Sequence, residues 1–253
     1  MPITHPRPDE AGKPVVIKHP SAPTAIEAWA EPAAIATVVP DGQVPIELNG
    51  VVLTPWADYP RSAEGWGCLD GLNEGLDEPP MEASGKKPAA GAVILESDGR
   101  VWVVHPTNQF GGYQVTFPKG RVDAGLGLQA AALRECWEEA GLQVRITGWL
   151  GDFERTTIRT RLYLAERVGG TPAAMGWESQ AVSLVPLSQL GAMLNGAADK
   201  SVFERLMQVV ATRPVLRPVD GEVILHGGTA ARPAGTARAV WRIETGAPAH
   251  RFR

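Results

Sequence analysis

The residues most able to do chemistry are crowded into one short stretch, Arg134-Glu135-Cys136-Trp137-Glu138-Glu139. On a helix, Glu135 and Glu139 are four residues apart, as are Arg134 and Glu138, so each pair lies along one side of the cylinder. Three carboxylates then share about one and a half turns, where like charges oppose helix formation by a few tenths of a kcal/mol per pair. They also precede Gly141, a residue type favoured just past a helix C-terminus, which is the unfavourable end of the macrodipole for anions. A bound divalent cation relieves both penalties, and carboxylate oxygens are the donors that hard ions such as Mg²⁺ prefer. Arg134 can neutralise or orient one of the acids. Read alone, such a string reads first as a solvated, Glu-rich helix face, and only its surroundings change that.

The elements that must position these residues follow from the surrounding pattern. Gly127 to Ala140 is free of helix breakers after its first residue and is predicted to be a helix. Before it, Gly91 to Glu96 and Arg100 to His105 are apolar, β-rich runs joined by the turn Ser97-Asp98-Gly99. After it, Arg159 to Glu166 and Gln180 to Pro186 read as strands, and Leu187 to Asn195 and Ser201 to Ala211 as helices. The order is mixed β and α.

With Gly120 fourteen residues before Arg134, and Gly141-Leu142 after the acids, the segment resembles the Nudix box, G-x5-E-x7-R-E-U-x-E-E-x-G-U, where U is bulky and apolar. One defining position departs: Leu126 stands where the first Glu is expected, and Cys136 is a small occupant of an apolar position. Phe117-Pro118-Lys119-Gly120 at the entrance and the flanking elements extend the resemblance to about residues 89 to 210.

The resemblance implies an α/β fold, an α/β/α sandwich around a mixed β-sheet; the N- and C-terminal extensions, which it does not cover, read as β-rich from their own residues. It implies a Mg²⁺-dependent hydrolase, with Mn²⁺ as a substitute ion, acting on a nucleoside diphosphate linked to another group X. By that analogy Glu135, Glu138, Glu139 and the Gly120 carbonyl would hold the metal, and Arg134 would hold a carboxylate in place. The general base in such proteins is either a box glutamate, here Glu135, or one on a later loop. Glu178, in Met175-Gly176-Trp177-Glu178-Ser179, is the best later candidate and Glu154 a weaker one. Lys119, next to the glycine, should reach substrate phosphates, as should Arg121. A Pro-Lys-Gly entrance resembles members acting on dinucleoside or diphosphoinositol polyphosphates. Arg155, Arg159 and Arg161 share a face if one unbulged strand contains them, and could add phosphate contacts or simply face outward.

Leu126 cannot bind metal or orient water. An active enzyme with three remaining carboxylates is one expectation; the alternative is a non-hydrolytic Nudix domain that binds a nucleotide or phosphorylated metabolite as a sensor or interaction module. Phe110, Tyr113 and Trp177 fall on loops near the box and could stack on a base, whereas Trp102, Trp137 and Trp149 read as packing residues. The five histidines are scattered without ligand spacing, and Cys136 reads as buried and inert.

The remaining sequence is organised around this segment. Residues 1 to 88 hold 13 acidic and 6 basic residues and 14 of the 22 prolines, so this leader cannot be mostly helical. Within it Ala33 to Val39 and Val44 to Pro55 read as short β segments about Pro40-Asp41-Gly42, with a second turn at Asn49-Gly50, and Asp70 to Pro88 as a linker or surface loop. A boundary near Pro88 separates it from the central domain, residues 89 to 213. Residues 214 to 253 hold 6 arginines against 3 acids, with Glu222 to His226 and Ala237 to Ile243 as candidate paired strands. Two cysteines exclude a disulfide framework or a thiolate zinc cluster, and the polar, proline-broken start lacks a secretory h-region. No apolar run approaches the ~20 residues of a membrane span. The expectation is a cytoplasmic protein with a nucleotide-type diphosphate as substrate, no membrane partner and no specific nucleic acid. A homodimer is compatible with the sequence.

Overall fold

Among its described residues the proline-rich leader forms, in the computed structural model, a 3-10 turn (Ile26–Trp29), three short strands, β1 (Ala36–Val38), β2 (Glu47–Leu48) and β3 (Val51–Val52), and one α-helical turn, α1 (Ala63–Trp66). The central part follows as β4 (Lys87–Leu95), β5 (Arg100–Pro106), β6 (Lys119–Arg121), α2 (Leu128–Ala140), β7 (Leu142–Glu154), β8 (Ile158–Gly170), β9 (Ser179–Pro186), α3 (Leu187–Met193) and α4 (Ala197–Thr212). The structure describes residues 3–107 and 112–212, and the backbone of 217–218 and 241–242. Among the described residues no helix is long and apolar enough to cross a membrane.

Seven strands form one mixed sheet in the order β1-β9-β5-β4-β8-β7, with β6 paired to β4. β4 and β8 run parallel; the other pairs are antiparallel. The fold is therefore α/β with a mixed sheet. α2 lies on one face, where Ala92, Ile94, Trp102, Val104, Tyr163, Ala165, Val182 and Leu184 form a core with Ala130 to Leu133, Cys136 and Ala140 of the helix. The small residues of α2 let its backbone approach the sheet closely. Alternate strand residues, including Val93, Val101, Val103 and Leu162, are also buried but lie outside that cluster, as the period of two requires for a sheet covered on both faces.

Several expectations change here. The turn at Pro40-Asp41-Gly42 forms, with the Gly42 amide donating to the Val39 carbonyl (2.9 Å), but it does not join a hairpin: β1 leaves the leader and pairs with β9 at the sheet edge. Asn49-Gly50 does make the expected hairpin turn between β2 and β3, both residues having positive φ (53° and 80°). The Asp70 to Pro88 stretch is more than a linker. The Ile146 amide on edge strand β7 donates to the Gly71 carbonyl (2.9 Å), and Gln129 of α2 is bonded to the Asn73 backbone on both sides of its amide. Glu78 accepts from the Tyr163 hydroxyl (2.7 Å) and the Arg161 guanidinium (3.0 Å).

The chain divides into two units, 1–206 and 207–253. In the second, Arg217–Pro218 pairs antiparallel with Trp241–Arg242. Of the two strands expected in this region, Glu222 to His226 lies outside the described residues, and only 241–242 of the other are described.

Candidate active site

The C-terminal end of α2 is fixed by a glycine that no other residue replaces. Gly141 has φ +68°, its amide donates to the Trp137 carbonyl (2.8 Å), and a Cβ there would lie 2.3 Å from the Thr171 carbonyl oxygen. The next helical carbonyl, that of Glu138, accepts from the Gly176 amide (2.7 Å). This bond satisfies an orphan acceptor and stitches the 175–179 loop to the helix end. It is also what brings a distant acid to the box.

Glu135, Glu139 and Glu178 each offer a carboxylate oxygen to one small volume, these atoms lying within 4.8 Å of one another. Glu135 is only 5% exposed and its carboxylate sits directly over Gly120, where a Cβ would be 2.3 Å from it. Glycine at 120 is thus a steric requirement of Glu135. Glu139 accepts from the Lys119 amide (2.8 Å), which binds the helix to β6. Glu138 stands at the rim, its side chain 43% exposed and its carboxylate 3.5 Å from Arg134.

Burial and mutual repulsion raise all four acids. Glu135 is pushed up to about 9, by burial first and then by Glu139 and Glu138. Glu139 is pushed up to about 7, by burial partly offset by Lys119. Burial likewise raises Glu178 and Glu138. Burial pulls the Lys119 ammonium down, against the attraction of Glu139. These are groups arranged with too little positive charge among them, which is the condition a divalent cation corrects. Their chemistry fits such an ion: three convergent oxygen donors of hard character, a glycine cradle, and an open side at Glu178, which is exposed.

The cations nearby have distinct settings. Arg134 is bonded to Asp123 (2.6 Å) and lies 3.7 Å from Glu135, so its charge is divided among three acids. Lys119 Nζ lies 5.5 Å from the centroid of the Tyr113 ring, and the Arg155 guanidinium 5.3 Å from the same ring. Arg155 donates to the Tyr113 hydroxyl (2.8 Å) and pairs with Asp199, which is fully buried. Tyr113 and Asp199 were not singled out as partners of these cations in the sequence; only the fold brings residue 199 beside 155. Arg121 is exposed on β6 opposite Ala89 of β4.

Other expectations are redrawn. Arg155 lies in the turn before β8, outside the strand that would align it with Arg159 and Arg161. Arg161 is held by Asp152 (2.7 and 2.8 Å) and Glu78, and Arg159 faces Glu82 and Glu154. Glu154 is also paired with Lys86 (2.8 Å) and does not join the carboxylate group. Leu126 is buried within the α2 core. Trp137 stacks on Tyr59 of the leader at 3.8 Å, Trp102 is buried, and Trp149 lies under Arg161. The Trp177 carbonyl accepts from the Thr107 hydroxyl. Phe110 lies outside the described residues. Cys136 is buried, its thiol pushed far up by burial.

Comparison with known proteins matches residues 85–206 to the model of the NUDIX domain. Residues 85–206 are a NUDIX domain. The domain takes in the sheet from β4 onward, α2 with its carboxylates, and the Glu178 loop. A curated relative, RNA pyrophosphohydrolase of Caulobacter vibrioides, is 34% identical over 99 residues, covering 37% of this chain. The chain spans about half the length of that relative, 52%. Among solved structures, a NUDIX hydrolase from Nitrosomonas europaea is 16% identical, with a TM-score of 0.43 over 49% of this chain and 90% of its own. An Ap4A hydrolase of C. elegans is 21% identical, with a TM-score of 0.40 over 49% of this chain and 98% of its own.

Proposed function

We propose that the NUDIX domain of this chain hydrolyses a pyrophosphate bond in a nucleoside diphosphate linked to another group X, by attack of water assisted by Mg²⁺ or Mn²⁺. The observation that carries the proposal is the convergence of Glu135, Glu139 and Glu178 beside Lys119. Bound there, the cation would supply positive charge to the non-bridging phosphate oxygens and acidify water. Glu135, buried over Gly120, and Glu139, half-buried and fixed by the Lys119 amide, are the holding residues, with Glu138 at the rim. Arg134 keeps the carboxylates oriented through its three acidic neighbours.

Glu178 is the general base in this reading: it is the most open of the three acids, and its raised affinity for a proton suits it to take one from the attacking water. The water oxygen forms a bond to phosphorus, the bridging P–O bond breaks, and the leaving phosphate carries the electron pair away. Lys119 donates to substrate phosphate, where its charge offsets the approach of polyanion and acidic site. The curated relative's name supports pyrophosphate chemistry in general, and the Pro-Lys-Gly entrance directs attention to polyphosphate substrates.

The test is a product-resolved screen, with Mg²⁺ or Mn²⁺, of nucleoside diphosphate sugars, dinucleoside polyphosphates, ADP-ribose, nucleoside triphosphates and 5′-triphosphate RNA, with Glu139→Gln as control. Turnover that disappears in the control supports the proposal. A second reading, a non-hydrolytic binding domain, is favoured by the apolar burial of Leu126; it gains if ligands raise the melting temperature and none is turned over.

A further inference from the structure

Outside the NUDIX domain, the first residues of the leader form a hairpin. Thr4 bridges Val16, the His5 amide donates to the Val15 carbonyl (2.8 Å) and the Ile17 amide to the Ile3 carbonyl (2.9 Å). Arg7 reaches out of this hairpin: its guanidinium donates to the Met175 carbonyl, and its other arm lies 3.8 Å from Asp41. The Arg7 amide is itself fixed by buried His5, whose Nδ1 accepts it at 2.9 Å. The Asp41 amide donates to the Ala173 carbonyl (2.9 Å), so two separate parts of the leader meet on residues 173–175. Beyond the second arm, the Lys18 and His19 amides donate to the Gln180 side chain (2.7 and 3.3 Å), whose Nε2 donates to the Pro106 carbonyl (3.1 Å).

Glu178 sits between these anchors. The Ser179 amide donates to the Gly176 carbonyl (3.2 Å), closing a turn with Trp177 and Glu178 at its centre. Thr107 holds the same turn, its amide donating to the Glu178 carbonyl (2.7 Å) and its hydroxyl to the Trp177 carbonyl. The Glu178 side chain leaves from this turn, so its direction follows the turn's orientation. Met175, at the entry, is fully buried; its carbonyl must be met inside the protein, and the leader supplies the donor. Gln180, at the exit, is buried and takes two leader amides.

We propose that Arg7 is a positioning residue for Glu178: the N-terminal hairpin braces the 175–180 segment in the place from which Glu178 reaches Glu135 and Glu139. The inference rests on the reading of Glu178 as general base. It gives the leader a part in the reaction from outside the NUDIX domain. Arg7 acts through a backbone carbonyl three residues from the acid, and touches neither substrate nor ion.

The test uses the full chain and two readouts. In hydrogen exchange, Arg7→Ala should speed exchange across residues 173–181 by about tenfold and leave the interior of α2 unchanged. With the substrate found in the screen above, Arg7→Ala should lower kcat about tenfold to a hundredfold while KM changes less than about threefold, as displacement of a reacting group does. Arg7→Lys, which keeps a donor, should retain more of kcat than Arg7→Ala. Lys13→Ala removes an equal charge from an exposed position of the same hairpin and should match the wild type in both readouts. In a Glu178→Gln background, Arg7→Ala should cost less than about threefold in kcat, since no base is left to misplace. Unchanged exchange over 173–181, or wild-type kcat in Arg7→Ala while Glu178→Gln is impaired, overturns the inference and leaves the base reading standing. An equal loss of kcat in both backgrounds also overturns it, the bond then acting on the fold at large. Wild-type turnover in Glu178→Gln is a different failure, that of the base reading itself.

Discussion

Two buried acids in this molecule have opposite surroundings. Glu96, at the end of β4, is met on every side: Arg167 Nε donates at 2.6 Å, the Trp102 indole at 2.8 Å and the Asn49 amide at 3.0 Å. Arg167 in turn donates to the Leu48 carbonyl (2.8 Å), pinning the β2–β3 hairpin to the sheet. Glu135, equally buried, has Arg134 no nearer than 3.7 Å and shares it with two other acids. Folding alone accounts for the first arrangement, because a buried charge is tolerable only when paired and hydrogen-bonded. It does not account for the second. A site that keeps several acids short of cations is marked by that shortage, and the Arg155–Asp199 and Arg161–Asp152 pairs show that this chain supplies arginines where structure alone needs them.

Substitution separates the two kinds of acid. Glu139→Gln should reduce turnover by on the order of a thousandfold or more while leaving the melting temperature of the metal-free protein unchanged or higher, since one repelling charge is gone. Turnover within tenfold of wild type would contradict the assignment. Arg167→Met should do the reverse. It strands Glu96 and should cost about 3–5 kcal/mol in urea unfolding; a loss under about 1 kcal/mol would mean that Glu96 is readily rehydrated.

A third measurement uses a buried group with no opposing charge. His105 on β5 lies 2.8 Å from the Ser183 hydroxyl, and burial pulls its pKa down from 6.5 to about 4. On acidification the unfolded chain takes up this proton first. Its contribution is therefore complete above pH 6.5 and lost as the pH falls towards 4, about 3 kcal/mol in all. Urea unfolding of wild type and His105→Gln at pH 7 and 4.5 should show the steeper loss in the wild type; equal losses would remove His105 as the cause. The smallest change belongs to the exposed pair Arg145–Glu166, matched in charge but open to water. Arg145→Ala should cost no more than about 0.5 kcal/mol, falling further with added salt.

The sequence showed these features unevenly. α2 was legible almost to the residue, because its breaker-free run and terminal glycine are local signals, and β4, β5 and β9 were legible from apolar runs. β7 was not picked out: its register shifts against β8 at three places, near Gln143, Ile146 and Trp149, which scrambles alternation. The pairing of β1 with β9 joins residues nearly 150 positions apart, and nothing local announces it. At the candidate site, spacing singled out Arg134, Glu135, Glu138 and Glu139 and the glycine-flanked loop singled out Glu178, and the fold brings Glu135, Glu139 and Glu178 together with Glu138 at the rim. The fates of Arg155, Arg159 and Arg161 were invisible because their partners, Asp199, Glu82 and Glu78, come from other elements, and strand periodicity fixes a face without saying what covers it.

The leader's hold on the two sheet margins has a practical consequence. β1 closes the margin at β9, and the Gly71 segment lies along β7, whose bulges already break its outline. A piece trimmed to residues 85–206 would keep all the carboxylates of the NUDIX domain and yet bare the outer edge of β9 and the Trp137 face that Tyr59 now covers. Strand edges left open in this way template pairing with other chains. Such a fragment should self-associate more readily than the full chain, an outcome that light scattering of the two at equal concentration would check.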